Sequence, residues 1–261
     1  KDIDQIFLAI PTLTRLQRRR IIDKLDQLKV PILQIPSLED IVSGKATINN
    51  LRPIEVEELL GREPVFPDQN LLQTCVKGRV VLVTGAGGSI GSELCREIVD
   101  LQPSNLILLE QCELNLYNIY NELSLKELEN NLIIPILADA KDEKLLLDLF
   151  LNYNVELVFH AAAYKHVPLV EINPIQGIKN NIVSTRAICN AAIKSNVGQV
   201  VLISTDKAVR PTNVMGASKR LAELIVQAFA NQAKNINNTT SYISSKPKLF
   251  SMVRFGNVLG S

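Results

Sequence analysis

Val80-Val81-Leu82-Val83-Thr84-Gly85-Ala86-Gly87-Gly88-Ser89-Ile90-Gly91 is the stretch that decides the fold: an apolar strand runs straight into a glycine-rich turn, and residues 89–101 then follow a helical period. A strand that passes through glycines into a helix brings backbone N–H groups and the positive end of the helix dipole to one point, where phosphate binds well. The turn therefore reads as a dinucleotide cradle in which Gly85, Gly87, Gly88, Ser89, Ile90 and Gly91 face the cofactor; a merely flexible turn is the plain alternative. Outward from it, apolar stretches at 105–110, 132–137, 156–160, 199–204 and 249–255 alternate with helix-period stretches near 113–129, 141–151, 178–195 and 214–230. Six strands joined by crossover helices predict an α/β fold, a doubly wound parallel sheet. The polar stretch 231–248 reads as a long surface loop; its N-x-Thr triplets at Asn237 and Asn238 are read as unglycosylated. No internal repeat is visible.

The 261 residues are 46% hydrophobic and 21% charged, which excludes a disordered chain, and 28 basic against 27 acidic residues provide no global attraction to nucleic acid. Cys75, Cys95, Cys112 and Cys189 are widely spaced, so neither a disulfide framework nor a metal site is expected and a reducing compartment fits. No run reaches the roughly 18 to 20 apolar residues that span a bilayer, and no signal peptide is recognisable, so the chain reads as soluble. It begins at Lys1 and stops at Ser261 directly after a strand-like run, and both ends read as cut from something longer. Residues 1–60 read as an incomplete α/β segment, with strands at 6–10 and 30–35 around a helix at 13–28 and too few elements for a core of its own. Arg15, Arg18, Arg19 and Arg20 on that helix form either a solvated face or a phosphate or headgroup contact. Pro64 and Pro67 discourage regular structure and place a linker at 61–77, ahead of a cofactor-binding part at 78–261.

The turn does not satisfy G-x-G-x-x-G from Gly85, because the sixth position is Ile90; it satisfies G-x-x-G-x-x-G at Gly85, Gly88 and Gly91, a spacing that resembles the short-chain dehydrogenase/reductase superfamily. Nineteen residues past Gly91 the second strand ends at Glu110. A carboxylate there accepts hydrogen bonds from ribose hydroxyls and repels a 2′-phosphate, and no lysine or arginine falls between 97 and 125, which favours NAD over NADP. A solvated strand end, with Glu113 as a helix-start charge, is the simpler alternative. Asp139 and Ala140 follow the third strand, where Asp139 could reach adenine. Ala161, Ala162 and Ala163 follow the fourth, small enough to lie against a flat cofactor or simply to pack closely.

The fifth strand leads into Thr205-Asp206-Lys207, and Met215-Gly216-Ala217-Ser218-Lys219 comes after it. In most of that superfamily a tyrosine and a lysine one helical turn apart handle the proton and the nicotinamide ribose. Lys219 fits the lysine, but Met215 stands in the tyrosine position, and a thioether cannot exchange a proton. Thr205, Asp206 and Lys207 offer a hydroxyl, a carboxylate and an amine at the carboxyl edge of the sheet, where open α/β folds hold ligands; a bare turn is the competing reading.

Three stretches, His160-Ala-Ala-Ala-Tyr-Lys-His-Val-Pro-Leu169, residues 204–220 and Arg254-Phe-Gly-Asn-Val-Leu-Gly-Ser261, together resemble the bacterial polysaccharide-biosynthesis type of nucleotide-sugar 4,6-dehydratase, the UDP-N-acetylglucosamine 4,6-dehydratases. Thr205-Asp206-Lys207 is similar to the Thr-Asp-Glu triplet of other 4,6-dehydratases with lysine for glutamate, and methionine in the tyrosine position is characteristic of this group. The resemblance is strong from 77 to 261 and weak before it.

It implies a Rossmann fold of the extended short-chain dehydrogenase/reductase type and a three-step reaction on UDP-N-acetylglucosamine: oxidation at C4 by NAD, loss of water across C5 and C6, and return of hydride to C6. Thr205 would then hydrogen-bond O4, Asp206 would move protons at O4 or O6, Lys207 would take the C5 proton and Lys219 would hold the ribose. Lys165, His166, Asn181, Arg254 and Asn257 would contact substrate. For Asn181, support of the site backbone and helix capping are alternatives, and for Arg254 a structural ion pair is one. Tyr164 would touch substrate or cofactor; His160 would be a core or turn residue, and Pro168 and Pro174 loop punctuation.

The resemblance also implies that residues 1–60 are the tail of a preceding Rossmann-like domain. Full-length members would sit at the cytoplasmic face of the bacterial inner membrane through segments outside these residues, act as homo-oligomers and carry a further sugar-binding part. Two rivals stand: an inverting dehydratase that also epimerises C5, and an NAD-binding sensor or scaffold without turnover, which Met215 keeps open.

Overall fold

The structure, a computed structural model, describes residues 68–125, 132–239 and 248–256, with 6–8, 10, 17, 21, 25, 30, 32–34 and 52–53 before them. Asn257 lies outside the described residues, as does the arginine cluster at 15–20. Contacts divide the chain into two units, Lys1–Pro67 and Asp68–Ser261. In the first, β1 (Ile6–Leu8) pairs in parallel with β2 (Ile32–Gln34), and β3 (Arg52–Pro53) runs antiparallel to β2. Gln17, Ile21 and Leu25 have helical backbone within the stretch read as a helix.

The second unit opens with α1 (Gln69–Val76), which occupies much of the stretch expected to be linker. Asp68 starts it, accepting the Asn70 and Leu71 amides at 3.0 and 3.3 Å, so the residue after Pro67 acts as an N-cap rather than as part of an extended connector. Beyond α1 lie six strands: β4 (Val80–Thr84), β5 (Asn105–Glu110), β6 (Leu132–Leu137), β7 (Leu157–His160), β8 (Gln199–Thr205) and β9 (Leu249–Phe255). They form one sheet in the order β6-β5-β4-β7-β8-β9, with every pairing parallel. The chain order reverses between β4 and β7, and this is where such sheets open a crevice at their carboxyl edge.

The helices are α2 (Ser89–Asp100), α3 (Glu113–Ser124), α4 (Glu143–Asn152), α5 (Val167–Ile172), α6 (Pro174–Ile178), α7 (Ser184–Ile193) and α8 (Val214–Thr239). They explain why the strands are apolar throughout instead of alternating. Val81 and Val83 pack with Cys95, Ile98, Leu116 and Ile119 of α2 and α3 on one face. Leu82 packs with Leu146, Phe150, Ile188 and Val226 of α4, α7 and α8 on the other. A strand covered on both faces needs apolar side chains at successive positions, and each fully buried Val or Leu contributes about 1.5–3 kcal/mol. Pro135 is tolerated because β6 pairs only with β5 and leaves its other edge without a ladder.

Three expectations are corrected. Residues 231–239, read as loop, continue α8, whose 26 residues carry the helix past its polar turns; residues 240–247 lie outside the described residues. Pro168 and Pro174 do not punctuate a loop but sit in the first turns of α5 and α6, where a missing N–H costs no intrahelical bond. The helix expected over 178–195 is interrupted: Lys179–Val183 forms a π-helical turn between α6 and α7. An extra residue in one turn rotates the helix beyond it, and here it buries both Asn180 and Asn181.

The Lys248 ammonium donates to the Ala192, Ser195 and Val197 carbonyls at 2.8, 2.6 and 3.3 Å, tying the start of β9 to the C-terminal end of α7. Charged hydrogen bonds of this kind contribute about 1.5–3 kcal/mol. Lys248→Met is expected to lower the stability measured by urea unfolding by that amount, through a lower midpoint at unchanged m-value; an unmoved midpoint would refute the capping role.

Candidate active site

The site grows from the turn after β4. Gly85 has φ +66°, and a Cβ there would lie 2.7 Å from the Ala162 backbone, so only glycine lets this turn rest against the chain leaving β7. Gly88 is the N-cap of α2 and supplies no side-chain cap, which leaves the first-turn amides facing the crevice with the partial charge an anion needs. Lys165 reaches over the same turn, its Nζ 3.4 Å from Ser89 Oγ. Its ammonium thus sits beside the start of α2, while the residue also borders the cavity that holds Met215 and Lys219.

On one side of the turn a cavity is lined by Gly85, Gly88, Glu110, Asp139, Ala140 and Ala161–Ala163. Glu110 is buried at its floor and accepts the Gly87, Gln111 and Cys112 amides at 3.2, 2.9 and 3.0 Å. Three N–H donors fix the orientation of the carboxylate on the cavity wall. Asp139 closes an Asx turn onto the Lys141 amide at 2.9 Å and pairs with the Lys141 ammonium at 2.7 Å, so its carboxylate is held at the rim. Gly87 packs against Asn115 of α3, where a Cβ would collide, and its contribution to the cradle is the amide given to Glu110. Ser89 and Gly91 line a neighbouring cavity that reaches α5 and α6, and Ile90 lines both that cavity and the next.

On the other side lies a cavity of about 370 Å³, whose walls include Thr205, Lys207, Met215, Lys219, Tyr164 and His166. Met215 is buried in the first turn of α8, and Lys219 lies one turn further along. Gly216 lets this helix start abut the Lys207 carbonyl, which a Cβ would overlap. Lys219 is almost fully buried and donates to the Ile203 carbonyl at 2.7 Å. Burial lowers its pKa to about 8, and the nearby Glu223 carboxylate opposes that shift.

Asp206 and Lys207 form a single 3-10 turn with Ala208 at the end of β8. Asp206 Oδ1 accepts from Thr205 Oγ1 at 3.0 Å and from Lys207 Nζ at 3.4 Å, and the Thr205 hydroxyl and the Lys207 cation hold its carboxyl below the ordinary range. Its side chain is 58% exposed and lies beside the cavity, outside its lining, whereas Thr205 and Lys207 line the cavity directly.

Two residues expected to contact substrate are engaged by protein partners. Asn181 is buried: its Oδ1 accepts from the Tyr164 amide at 2.8 Å, and its Nδ2 donates to the Tyr164 carbonyl at 3.1 Å and to Ser218 Oγ at 2.9 Å. It staples the loop after β7 to α8, with its polar atoms spent on those partners. Arg254 is engaged by Glu223, with Nε and Nη2 at 2.8 and 2.7 Å from its two oxygens, because β9 sets Arg254 beside Ser204 at the foot of α8.

Sequence reasoning missed the buried polar layer under the cavity. Glu223 is completely buried and also accepts Ser204 Oγ at 2.7 Å and Arg220 Nη1 at 2.9 Å. Burial would raise its pKa, but the hydrogen bonds from Arg254, Ser204 and Arg220 override it and bring the group to about 2. The signal was present: 215, 219 and 223 share one helix face at a spacing of four.

His160, read from the sequence as a core or turn residue, is buried at the end of β7. Thr185 Oγ1 donates to the Asn181 carbonyl at 2.7 Å and Ser184 Oγ to the Asn180 carbonyl, so both hydroxyl protons are spent. His160 Nε2 must therefore donate to Thr185 Oγ1 at 3.1 Å, and Nδ1 accepts from Thr84 Oγ1 at 2.7 Å. Thr84 Oγ1 in turn accepts the Ala162 amide at 3.3 Å. The ring is a neutral bridge from β4 to the start of α7.

Comparison with known proteins agrees with this architecture. The family described as "Polysaccharide biosynthesis protein" matches residues 81–261. The chain is 42% identical over 261 residues to a protein named capsular polysaccharide biosynthesis protein CapD of Staphylococcus aureus, covering 99% of this chain and 41% of that one. It is 33% identical over 185 residues to a UDP-N-acetylglucosamine 4,6-dehydratase (inverting) of Campylobacter jejuni, covering 70% of this chain and 50% of that one. Among solved structures, Pen from Bacillus thuringiensis superposes with a TM-score of 0.61 at 29% identity, over 70% of this chain and 54% of that one. The chain thus spans about two fifths and one half of the length of these two curated relatives.

Burial, and then the Lys219 charge, lower the His160 pKa from 6.5 to about 3. Between those values the unfolded chain binds a proton that the folded one excludes, so folding stability falls as pH drops from 6.5 toward 3, by at most about 1.4 kcal/mol per pH unit. His160→Gln is expected to flatten this dependence in urea titrations at about pH 7 and pH 5, on either side of the ordinary histidine pKa; an identical pH dependence in wild type and variant would show that the ring does not titrate this way.

Proposed function

The chain belongs to the polysaccharide biosynthesis protein family, and on that premise we propose that it is the cofactor-binding and catalytic part of a nucleotide-sugar 4,6-dehydratase acting on UDP-N-acetylglucosamine for bacterial glycan synthesis. The observation that carries this reading is one cavity wall: Met215, which cannot exchange protons, lies beside Lys219, Thr205 and Lys207, with Asp206 hydrogen-bonded to the latter two. The group that replaces the absent phenol is within reach of the same cavity.

The residues fit NAD. The uncapped start of α2 would hold the pyrophosphate with Lys165 across it, Glu110 would accept from the adenosine ribose hydroxyls, and Ala161–Ala163 would lie against the dinucleotide. When bound, NAD would supply the hydride acceptor for sugar C4 and the hydride donor for C6, so that the sugar is oxidised and reduced with no net redox change. Lys219 has three ammonium donors, of which one is spent on Ile203, and would hold the nicotinamide ribose with the others.

Asp206, already a carboxylate, accepts the O4 proton through or beside Thr205 and releases it to the departing O6 hydroxyl as water. Lys207, cationic in its pair with Asp206, must first release that proton to solvent; as the neutral amine it takes the C5 proton and returns it to C5 as the sugar is reduced. These transfers sum to loss of one water, leaving a 4-keto-6-deoxy sugar. His166 on the cavity wall faces the sugar. Residues 1–60 are read as the tail of a preceding Rossmann-like domain. Attachment to the cytoplasmic face of the inner membrane would come from segments outside the 261 residues, since among the described residues no helix is long and apolar enough to cross a membrane. A homo-oligomer is part of the same proposal.

The test is mass spectrometry of UDP-N-acetylglucosamine incubated with the intact protein and NAD. Loss of one water is expected, reduced about 100-fold or more in Asp206→Asn and Lys207→Ala, the usual contribution of an acid–base group. Binding without product would favour a non-catalytic sensor and overturn the reading. The inverting relative raises a second outcome at C5, and proton NMR of product formed in deuterated water distinguishes retained from inverted configuration.

A further inference from the structure

Beneath the cavity lies a group that the dehydratase reading leaves without a task. The Glu223 carboxylate is fully buried, and all of its acceptor directions are filled: Oε1 by Ser204 Oγ and Arg254 Nε, Oε2 by Arg254 Nη2 and Arg220 Nη1. These partners are not scattered. Ser204 is the residue before Thr205 at the end of β8, Arg254 pairs with it across β9 just before Phe255 and Gly256 of the cavity wall, and Lys219 is one helical turn before Glu223 on α8.

We propose that Glu223 is the positioning residue of the catalytic edge: it clamps the ends of β8 and β9 beneath the Thr205–Lys207 turn and supplies the counter-charge for the buried Lys219 ammonium. A buried ammonium bonded only to a backbone carbonyl loses most of its hydration, and a carboxylate one turn away returns part of that energy. The other groups around Lys219 cannot do so. His160 on β7 is neutral, Lys207 after β8 and Lys165 on the loop after β7 are cations, and Arg220 on α8 and Arg254 on β9 are cations bound to Glu223 itself. Of the remaining carboxylates, Asp206 is exposed and engaged with Thr205 and Lys207, and Glu171 of α5 is engaged by the Val214 amide at the start of α8. Two arginines on one carboxylate also make the arrangement adjustable, since each cancels part of the field that Lys219 feels.

This inference rests on the dehydratase reading only for the meaning of the word catalytic; its test needs neither cofactor nor sugar. In the 261-residue chain labelled with 13Cε-lysine, the Lys219 resonance is identified by its loss in Lys219→Met and titrated from about pH 6 to 11, a range that brackets a buried and an ordinary lysine. Glu223→Gln is expected to lower the Lys219 midpoint by about one pH unit, the size of shift a nearby charge commonly gives, with partial recovery in Glu223→Asp. Arg220→Gln, at a half-exposed position, is expected to raise it, because the carboxylate is then less neutralised. A purely structural ion pair would leave the titration where it is. Should Glu223→Gln not fold, Arg220→Gln decides alone. A Lys219 midpoint unmoved in every folded variant overturns the proposal, whatever the mass measurement finds.

Discussion

The second unit depends on one close approach, that of Gly85 to the backbone of Ala162. No side chain fits between them, and the positive φ of the turn is one that L-residues rarely adopt. Because the turn can settle there, the start of α2 points into the crevice between β4 and β7, and the chain leaving β7 is bent across the sheet's carboxyl edge. Among the described residues, two cavities then border this contact, the one lined by Glu110 and Asp139 on one flank and the one lined by Met215 and Lys219 on the other.

Holding that arrangement requires polar groups below it, and each is buried with hydrogen-bond partners in place. Thr84, His160 and Thr185 form a chain from the Ala162 amide to the Asn181 carbonyl, and the Asn181 side chain then fixes both backbone groups of Tyr164 and reaches Ser218. Glu223 does the same for the ends of β8 and β9 with charged partners. An unpaired polar group at such depth would cost about 1–3 kcal/mol, so completeness of the network matters more than the strength of any member. The layer explains how an exposed, shallow triplet such as Thr205-Asp206-Lys207 can stand on a rigid base.

The strands of the larger sheet were legible because each is an apolar run bounded by polar turns: β4, β5, β6 and β9 have the ends the sequence suggests, while β7 starts one residue later and β8 ends one residue later. The glycine spacing, the carboxylate at Glu110 and the pair at 215 and 219 were equally visible, since each arises from local pattern. What was misread also has physical causes. Pro168 and Pro174 look like breaks, but proline is at ease in a first helical turn. The stretch 231–239 looks like loop because its residues are polar, yet a helix already nucleated at Val214 extends through polar residues at little cost. For Arg254 and Asn181 the sequence left substrate contact open beside an ion pair and support of the site backbone, because a polar residue in a cleft-forming segment can face either way, and no sequence period tells which.

Composition, alternation of apolar runs and the glycine turn were enough to determine an α/β parallel sheet, the place of its crevice and the chemical types available there, because these are set by contacts within a few residues along the chain. Which polar side chain faces the crevice and which is spent beneath it was decided only in three dimensions. Glu223 meets Ser204 and Arg254, and Asn181 meets Tyr164 and Ser218, across separations of 17 to 37 residues. Pairings over that distance depend on sheet order and on a π-helical turn's rotation, neither of which leaves a repeat in the sequence to read.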